Sequence, residues 1–108
     1  MSSSPASCEV FSFCGAVPCF ASVRSEVVLQ SDRLRVVRVA LEAGASLKEH
    51  TAPGDLLVQC LHGKVSFNLP LESHILESGQ LIHVPDHLPH AVVAIDDAQL
   101  LLTIALDR

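Results

Sequence analysis

The sequence predicts an all-β protein that folds as an antiparallel barrel or sandwich. Short apolar or alternating runs follow one another along its 108 residues, and turn-forming residues separate them. No window longer than about 10 residues keeps helical periodicity without a Gly or Pro. The hydrophobic content of 49% and the mean hydropathy of +0.41 suit a single compact core. We therefore expect one small domain made of many short strands.

Predicted strands and turns alternate in a regular order. Strand character is found in residues 9–13, 27–30, 34–41, 55–61, 65–69, 73–76, 81–84, 91–95 and 100–106. The turn signals between them are Ser31-Asp32, Ala43-Gly44, Pro53-Gly54, His62-Gly63, Pro70, Ser78-Gly79, Pro85-Asp86 and Asp96-Asp97. These residues allow positive φ, fix φ or bond to the local backbone. The first residues have little to bury, so we expect a flexible tail over 1–7 and one domain over 8–108.

Alternation is clearest in the run from Lys64 to Leu69. Its odd-numbered residues, which include Val65 and Phe67, are apolar, and its even-numbered residues are polar. Successive side chains of a strand point to opposite faces, so the odd positions should face the core and the even ones water.

The last run, residues 100–106, is apolar on both faces. In a small domain such a strand is covered by a second layer of the same chain or by another subunit. We infer a homodimer from it, with burial inside one monomer as the alternative.

Charge and cysteine content narrow the class of protein. The net charge is -5 and the seven Lys and Arg are dispersed, which argues against nucleic acid as a partner. No apolar run approaches the roughly 20 residues of a membrane span, so we expect no membrane partner and a cytoplasmic location. Cys8, Cys14 and Cys19 crowd near the N-terminus and Cys60 lies in an apolar run, a pattern typical of reduced thiols rather than a disulfide scaffold.

Two blocks marked by Gly and His resemble the two motifs of the cupin superfamily. In the first motif, Gly is followed by His-x-His, then Glu, then Gly. The chain keeps Gly44, His50 and Gly63 of this pattern. The position of the second His holds Ala52, and the position of the Glu holds Leu56. Two of the three metal ligands of this motif are thus replaced by apolar residues.

The second block follows its motif more closely. Gly79, Pro85 and His90 keep the cupin spacing, whereas His87 replaces the usual turn Gly and Ala94 the usual Asn. The resemblance covers nearly the whole chain after residue 20. It implies an antiparallel double-stranded β-helix, that is, a jelly-roll barrel of the small, single-domain conserved-barrel type.

The resemblance also implies a site at the barrel mouth. His50 and His90 are its candidate metal ligands, and the ion would be Fe, Mn, Ni or Zn. The candidate pocket-lining residues are Ala52, Leu56, Val58, Cys60, Phe67, Ile82, Val84 and Val92. Further candidate ligands are Gln59, His87 and His83.

Three functions stay open on this evidence. The first is a barrel that binds a small organic ligand, with an acid as one candidate, beside an incomplete or weak metal site. The second is a metal-dependent enzyme, an oxygenase, isomerase or decarboxylase that acts on a small organic acid. The third is a dimeric interaction or structural barrel without a working pocket.

Overall fold

The computed structural model describes residues 8–13 and 22–106. This part of the chain forms nine strands and no helix, and so none that could cross a membrane. The strands are β1 (Val23–Gln30), β2 (Leu34–Leu41), β3 (Ser46–His50), β4 (Leu56–His62), β5 (Lys64–Asn68), β6 (Ser73–Glu77), β7 (Leu81–Val84), β8 (His90–Ala94) and β9 (Ala98–Ala105).

The strands form two antiparallel sheets. One has five strands in the order β1-β2-β9-β4-β7, and the other has four in the order β3-β8-β5-β6. The chain passes from one sheet to the other between β2 and β3 and again after β3, β4, β6, β7 and β8. The predicted all-β jelly-roll class is therefore confirmed.

The core lies between the inner faces of the two sheets. In β4, Leu56, Val58 and Cys60 are buried, whereas Leu57 and Gln59 on the other face are exposed. In β5 the predicted alternation is also present, with Val65 and Phe67 at 0% and 1% exposure. The core cluster consists of Val39, Leu41, Ala52, Leu56, Val58, Cys60, Val65, Phe67, Leu76, Val84, Val92, Ala94, Ala98 and Leu100.

One predicted strand is wrong, and one observed strand was not predicted. Residues 9–13 form no strand, and Val10 is 92% exposed, because its apolar side chain has no sheet to pack on. The unpredicted strand is β3, a five-residue edge strand whose sequence is largely polar. The predicted strand over 27–30 is the second half of β1, which begins at Val23.

The doubly apolar strand near the C-terminus lies in the centre of the larger sheet. β9 pairs with β2 on one side and β4 on the other, and Leu100 packs in the core. On its outer face Gln99 is only 3% exposed, and the guanidinium of Arg38 donates hydrogen bonds to its side-chain oxygen. The apolar character of β9 thus fits a central strand, and the homodimer stays a prediction.

Candidate functional site

His50 and His90 meet across neighbouring strands. His50 ends β3, His90 begins β8, and the two residues are paired in register. Their Nε2 atoms are 3.2 Å apart. His90 is 2% exposed whereas His50 is exposed, so the pair connects the barrel interior with solvent.

A β-bulge turns His50 toward His90. Ser46 pairs with Val93 and Leu47 with Val92, but His50 pairs with His90, so β3 holds one residue more than β8 over this stretch. Strict alternation from Leu47, which packs on the core, would point His50 away from it. The extra residue turns the side chain of His50 back toward the core. β-Bulges are common next to functional sites, where they re-aim a side chain.

Both imidazoles are held in the same tautomer by backbone carbonyl groups. The Nδ1 of His50 lies 2.7 Å from the carbonyl oxygen of Lys48, and that of His90 lies 3.0 Å from that of Leu88. A carbonyl oxygen only accepts hydrogen bonds, so each Nδ1 carries the proton and donates it. In its neutral form, each ring then presents an Nε2 lone pair toward the other. Two such lone pairs repel each other unless a proton or a metal ion lies with them.

The distance between the two Nε2 atoms is close to that of two ligands of one ion. The centroids are 4.3 Å apart and the rings are inclined by 64°, so the rings meet at an angle rather than end to end. Two nitrogens bound to one tetrahedral Zn²⁺ at about 2.0–2.1 Å are about 3.3 Å apart. Ligating histidines also donate their other ring N–H to a carbonyl or carboxylate, as both do here. The separation of the donor atoms and their Nδ1 partners are therefore those of two metal-binding histidines, without a third ligand among the described residues.

Burial sets the protonation of His90. Desolvation lowers its pKa from the ordinary value of 6.5, the hydrogen bond to the Leu88 carbonyl opposes this, and the charge of His50 lowers it further. The ring of Phe67 stacks on His90 with 5.7 Å between centroids and an angle of 15°. The buried ring is thus kept neutral and in a fixed orientation, the state in which imidazole binds metal.

The lowered pKa predicts an acid-dependent loss of stability. In the unfolded chain His90 takes up a proton as pH falls through about 6.5, whereas in the folded protein it does so only at lower pH. Its contribution to the free energy of unfolding is therefore complete above that pH and declines below it. We expect the urea midpoint to fall less between pH 7.5 and 5.5 in His90→Gln than in the wild type. An unchanged slope in His90→Gln, matching that of the exposed-site control His74→Ala, would contradict this.

The predicted pocket-lining residues lie around the core. Ala52, Leu56, Val58, Cys60, Phe67, Val84 and Val92 belong to the core cluster, and Ile82 packs against it. Ala52 is 9% and Leu56 1% exposed, so the positions of the second His and the Glu of the cupin motif are apolar and dry. Burial raises the pKa of the Cys60 thiol, which donates toward the carbonyl oxygens of His62 and Gly63. Cys60 therefore acts as a core residue.

The three further candidates lie away from the His50–His90 pair. Gln59 is exposed on the outer face of β4. The Nε2 of His83 is 3.7 Å from a carboxylate oxygen of Asp55, and the Nδ1 of His87 is 3.3 Å from one of Asp86. In residues 8–13 and 22–106, no three His, Cys, Asp or Glu side chains are grouped to hold an ion. His87 stands where the motif usually has a turn Gly, and its φ is +62°. His adopts positive φ more readily than most residues with a side chain, so it can replace the Gly.

Two determinants of this site are absent from the sequence interpretation. One is the bulge in β3, whose only sequence signal is the departure of Lys48 and Glu49 from apolar alternation. The other is the pair of carbonyl groups two residues before each His, which follows from local backbone geometry.

Comparison with known proteins gives matches among solved structures. No family model and no curated protein matches the chain. A cupin of the RmlC-like kind from Desulfovibrio desulfuricans is 26% identical, with 90% of this chain and 95% of that chain covered and a TM-score of 0.81. A cupin superfamily protein from Desulfitobacterium hafniense is 26% identical, with 79% and 78% covered and a TM-score of 0.76.

A third solved structure carries no assigned role. This conserved protein of unknown function from Streptococcus pyogenes is 28% identical to the chain, with 80% and 75% covered and a TM-score of 0.74. Sheet order, strand pairing and these likenesses agree with the two motifs read from the sequence. The chain is a small cupin-type barrel domain, whose first motif keeps His50 and holds Ala52 and Leu56 in place of its other metal ligands.

Proposed function

We propose that this barrel binds a small organic molecule at a divalent ion held loosely by His50 and His90. The observation that carries the proposal is the placement of the two Nε2 atoms 3.2 Å apart, with each Nδ1 within hydrogen-bond distance of a backbone carbonyl oxygen. Such a pair is stabilised by a cation. Fe, Mn, Ni and Zn are the candidate ions, and a bound ion would act as a Lewis acid that fixes an oxygen of the organic molecule.

The ion should be held weakly because the described chain offers two ligands. Protein sites that keep zinc generally supply three or four, and the two missing positions here are Ala52 and Leu56. The two remaining ligands, His50 and His90, are nevertheless held in fixed orientations. His90 is buried, stacked on Phe67 and hydrogen-bonded through Nδ1. We expect an ion that exchanges readily and leaves coordination positions to water and the organic molecule.

Metal titration of the untagged protein tests the proposal. After treatment with a chelator, the melting temperature should rise on adding Zn²⁺ or Ni²⁺, since an ion that binds the folded state stabilises it. An ion at 100 times its dissociation constant contributes about 2.7 kcal/mol. For a domain of this size that is a shift of roughly 10 °C or more. Replacing His50 by Ala or His90 by Gln should remove the shift.

An exposed histidine provides the matched control. His74 pairs with Glu72 at 3.0 Å on the edge strand β6, so His74→Ala should keep the full metal response. An equal loss of response in His74→Ala, or a response that survives in the double variant His50→Ala, His90→Gln, would sink the proposal. Either result would indicate adventitious binding by surface histidines.

The other inferences from the sequence stay predictions. They are the homodimer, the cytoplasmic location, the division into a tail over 1–7 and a domain over 8–108, and a metal-dependent enzyme as the alternative function. Fold alone does not decide between a binding protein and an enzyme, because the same barrel can carry either.

A further inference from the structure

The outer edge of β6 is the least protected strand edge in the described part of the chain. The two sheets end in four edge strands, β1, β3, β6 and β7. A bulge interrupts the pairing of β1 and that of β3, and β3 also contains Lys48. β7 has only four residues and is followed by Pro85. β6, by contrast, pairs with β5 over five residues without a register shift, and it contains neither Lys nor Pro, which commonly protect an edge.

The hydrogen bonds of β6 show which of its backbone groups point outward. The N–H of Leu69 donates to the carbonyl oxygen of Glu72, so these residues are a hydrogen-bonded pair at the β5–β6 turn. Such pairs alternate with non-bonded ones along an antiparallel ladder. The N–H and C=O groups of Ser73, Ile75 and Glu77 therefore point away from β5. Those of Ser73 and Ile75 have no partner among the residues that the structure describes.

A groove of about 330 Å³ separates β6 from β7. The two strands belong to different sheets and are joined at one end by residues 78–80, where Gln80 bonds both outward backbone groups of Glu77. The groove is open at the other end. Leu76, in the core, and Ile82, which packs against it, both line the groove. An apolar lining thus lies beside unpaired backbone groups, the two features that bind an added strand.

The open end of the groove is acidic. Glu72 lies just before β6, and Asp55 lies beside the end of β7, with 59% and 63% of their side chains exposed. Each carboxylate is near a histidine that lines the groove, at 3.0 Å from His74 and 3.7 Å from His83. Residues 65–107 contain no Lys or Arg. Basic residues of a partner would therefore meet opposite charge at this end.

We propose that the edge of β6 binds an extended segment of a partner protein as an added antiparallel strand, with apolar residues along the groove and basic residues at its C-terminal end. β6 begins at the open end of the groove, so an antiparallel segment ends there. At the closed end Lys64 lies opposite Glu77, which disfavours basic residues. β6 and the strand that carries His50 are opposite edges of the smaller sheet, so this site is distinct from the histidine pair.

The test is an NMR titration of the full chain with the acetylated and amidated peptide TVTVTVKK, whose valines share one face. We expect chemical shift changes in β6 and β7 and slower hydrogen exchange of the outward N–H of Ile75. The peptide TVTVTVEE reverses the charge, and KKTVTVTV moves the basic residues to the other end. Both should bind about tenfold more weakly than TVTVTVKK.

Variants of the edge and of its charge test the same placement. Ile75→Pro removes an outward N–H and leaves the bonds to β5, so binding should weaken about tenfold. Glu72→Lys should weaken it about fivefold. Asp32→Lys makes the same change of charge in the exposed turn between β1 and β2, away from β7, and should keep the wild-type affinity. If Ile75→Pro loses the wild-type circular dichroism spectrum, Glu72→Lys and the exchange of Ile75 decide.

Three results would overturn the proposal. Equal binding of TVTVTVEE, or equal weakening in Asp32→Lys and Glu72→Lys, would show that β6 does not select the charge of the segment. Slow exchange of Ile75 in concentrated protein without peptide would show that a second copy of the chain occupies the edge. The absence of any shift in β6 at millimolar peptide would show that the edge binds no such segment.

Discussion

Replacement of Phe67 by alanine is expected to lower the free energy of unfolding by about 3–5 kcal/mol. Phe67 is among the largest fully buried side chains, at 1% exposure, and it packs between the two sheets in the core cluster. Its loss leaves a cavity and removes the ring that stacks on His90. The loss is a large part of the roughly 5–15 kcal/mol of a typical domain. Equilibrium unfolding in urea at pH 7.5 measures it.

Phe67→Leu separates the two roles of this ring. Leucine keeps most of the buried volume, so we expect a clearly smaller loss of stability than in Phe67→Ala. Leucine offers no aromatic face to His90, so zinc binding should weaken in both variants. A loss below about 1 kcal/mol in Phe67→Ala would contradict the described packing. Unchanged zinc binding in Phe67→Leu would show that the stacking does not position His90.

Gly63→Ala is expected to lower the free energy of unfolding by about 2–5 kcal/mol, measured in equilibrium unfolding. Gly63 joins β4 of the larger sheet to β5 of the smaller one and has φ +85°, a region that strains any residue with a side chain. A Cβ at this position would also overlap the backbone carbonyl oxygen of Asp97 and the Cα of Ala98 at the start of β9. Backbone atoms cannot rotate aside, so the turn itself would have to move.

Gly79 provides the matched control for this substitution. Its φ is +89°, nearly that of Gly63, yet apart from its chain neighbours no atom lies within 4 Å of the place that a Cβ would take. Gly79→Ala should therefore cost only the conformational part, about 1–2 kcal/mol. Equal losses in Gly63→Ala and Gly79→Ala would show that the close approach to Asp97 is absent in solution.

The sequence predicts most of this fold because its turns are strongly marked. Gly44, Gly63 and Gly79 all adopt positive φ between strands, as their placement between apolar runs indicates. The sequence pattern does not predict β3, because an edge strand needs few apolar residues and a bulge interrupts its alternation. Residues 9–13, by contrast, have an apolar pattern but form no strand, because no neighbouring strand pairs with them.

For the site, sequence spacing identifies the two histidines but does not predict that their rings are in contact or which nitrogen of each carries the proton. The meeting of His50 and His90 depends on a register shift between β3 and β8, and register is a property of the pairing of distant segments. Their common tautomer depends on the carbonyls of Lys48 and Leu88, which are the same in every residue type and leave no trace in a sequence. The apolar replacements Ala52 and Leu56, by contrast, are visible at once.

The residues at the two replaced positions affect the stability of the fold and the binding of metal in opposite directions. Ala52 and Leu56 extend the core to the barrel mouth and so favour the folded state. The same change removes two donors, which leaves any bound ion open to external ligands. The stability of the barrel and its affinity for metal can thus vary independently, and we expect folded, metal-free protein after purification without added ions.

Nitrogen-15 NMR of the histidine side chains reports the protonation of each ring nitrogen and so tests whether His50 and His90 bind one ion through Nε2. We expect His50 and His90 both to carry a proton on Nδ1, and zinc to shift their two Nε2 resonances while both Nδ1 protons remain. An Nε2 proton retained on either ring in saturating zinc, or zinc shifts confined to the exposed histidines, would contradict it.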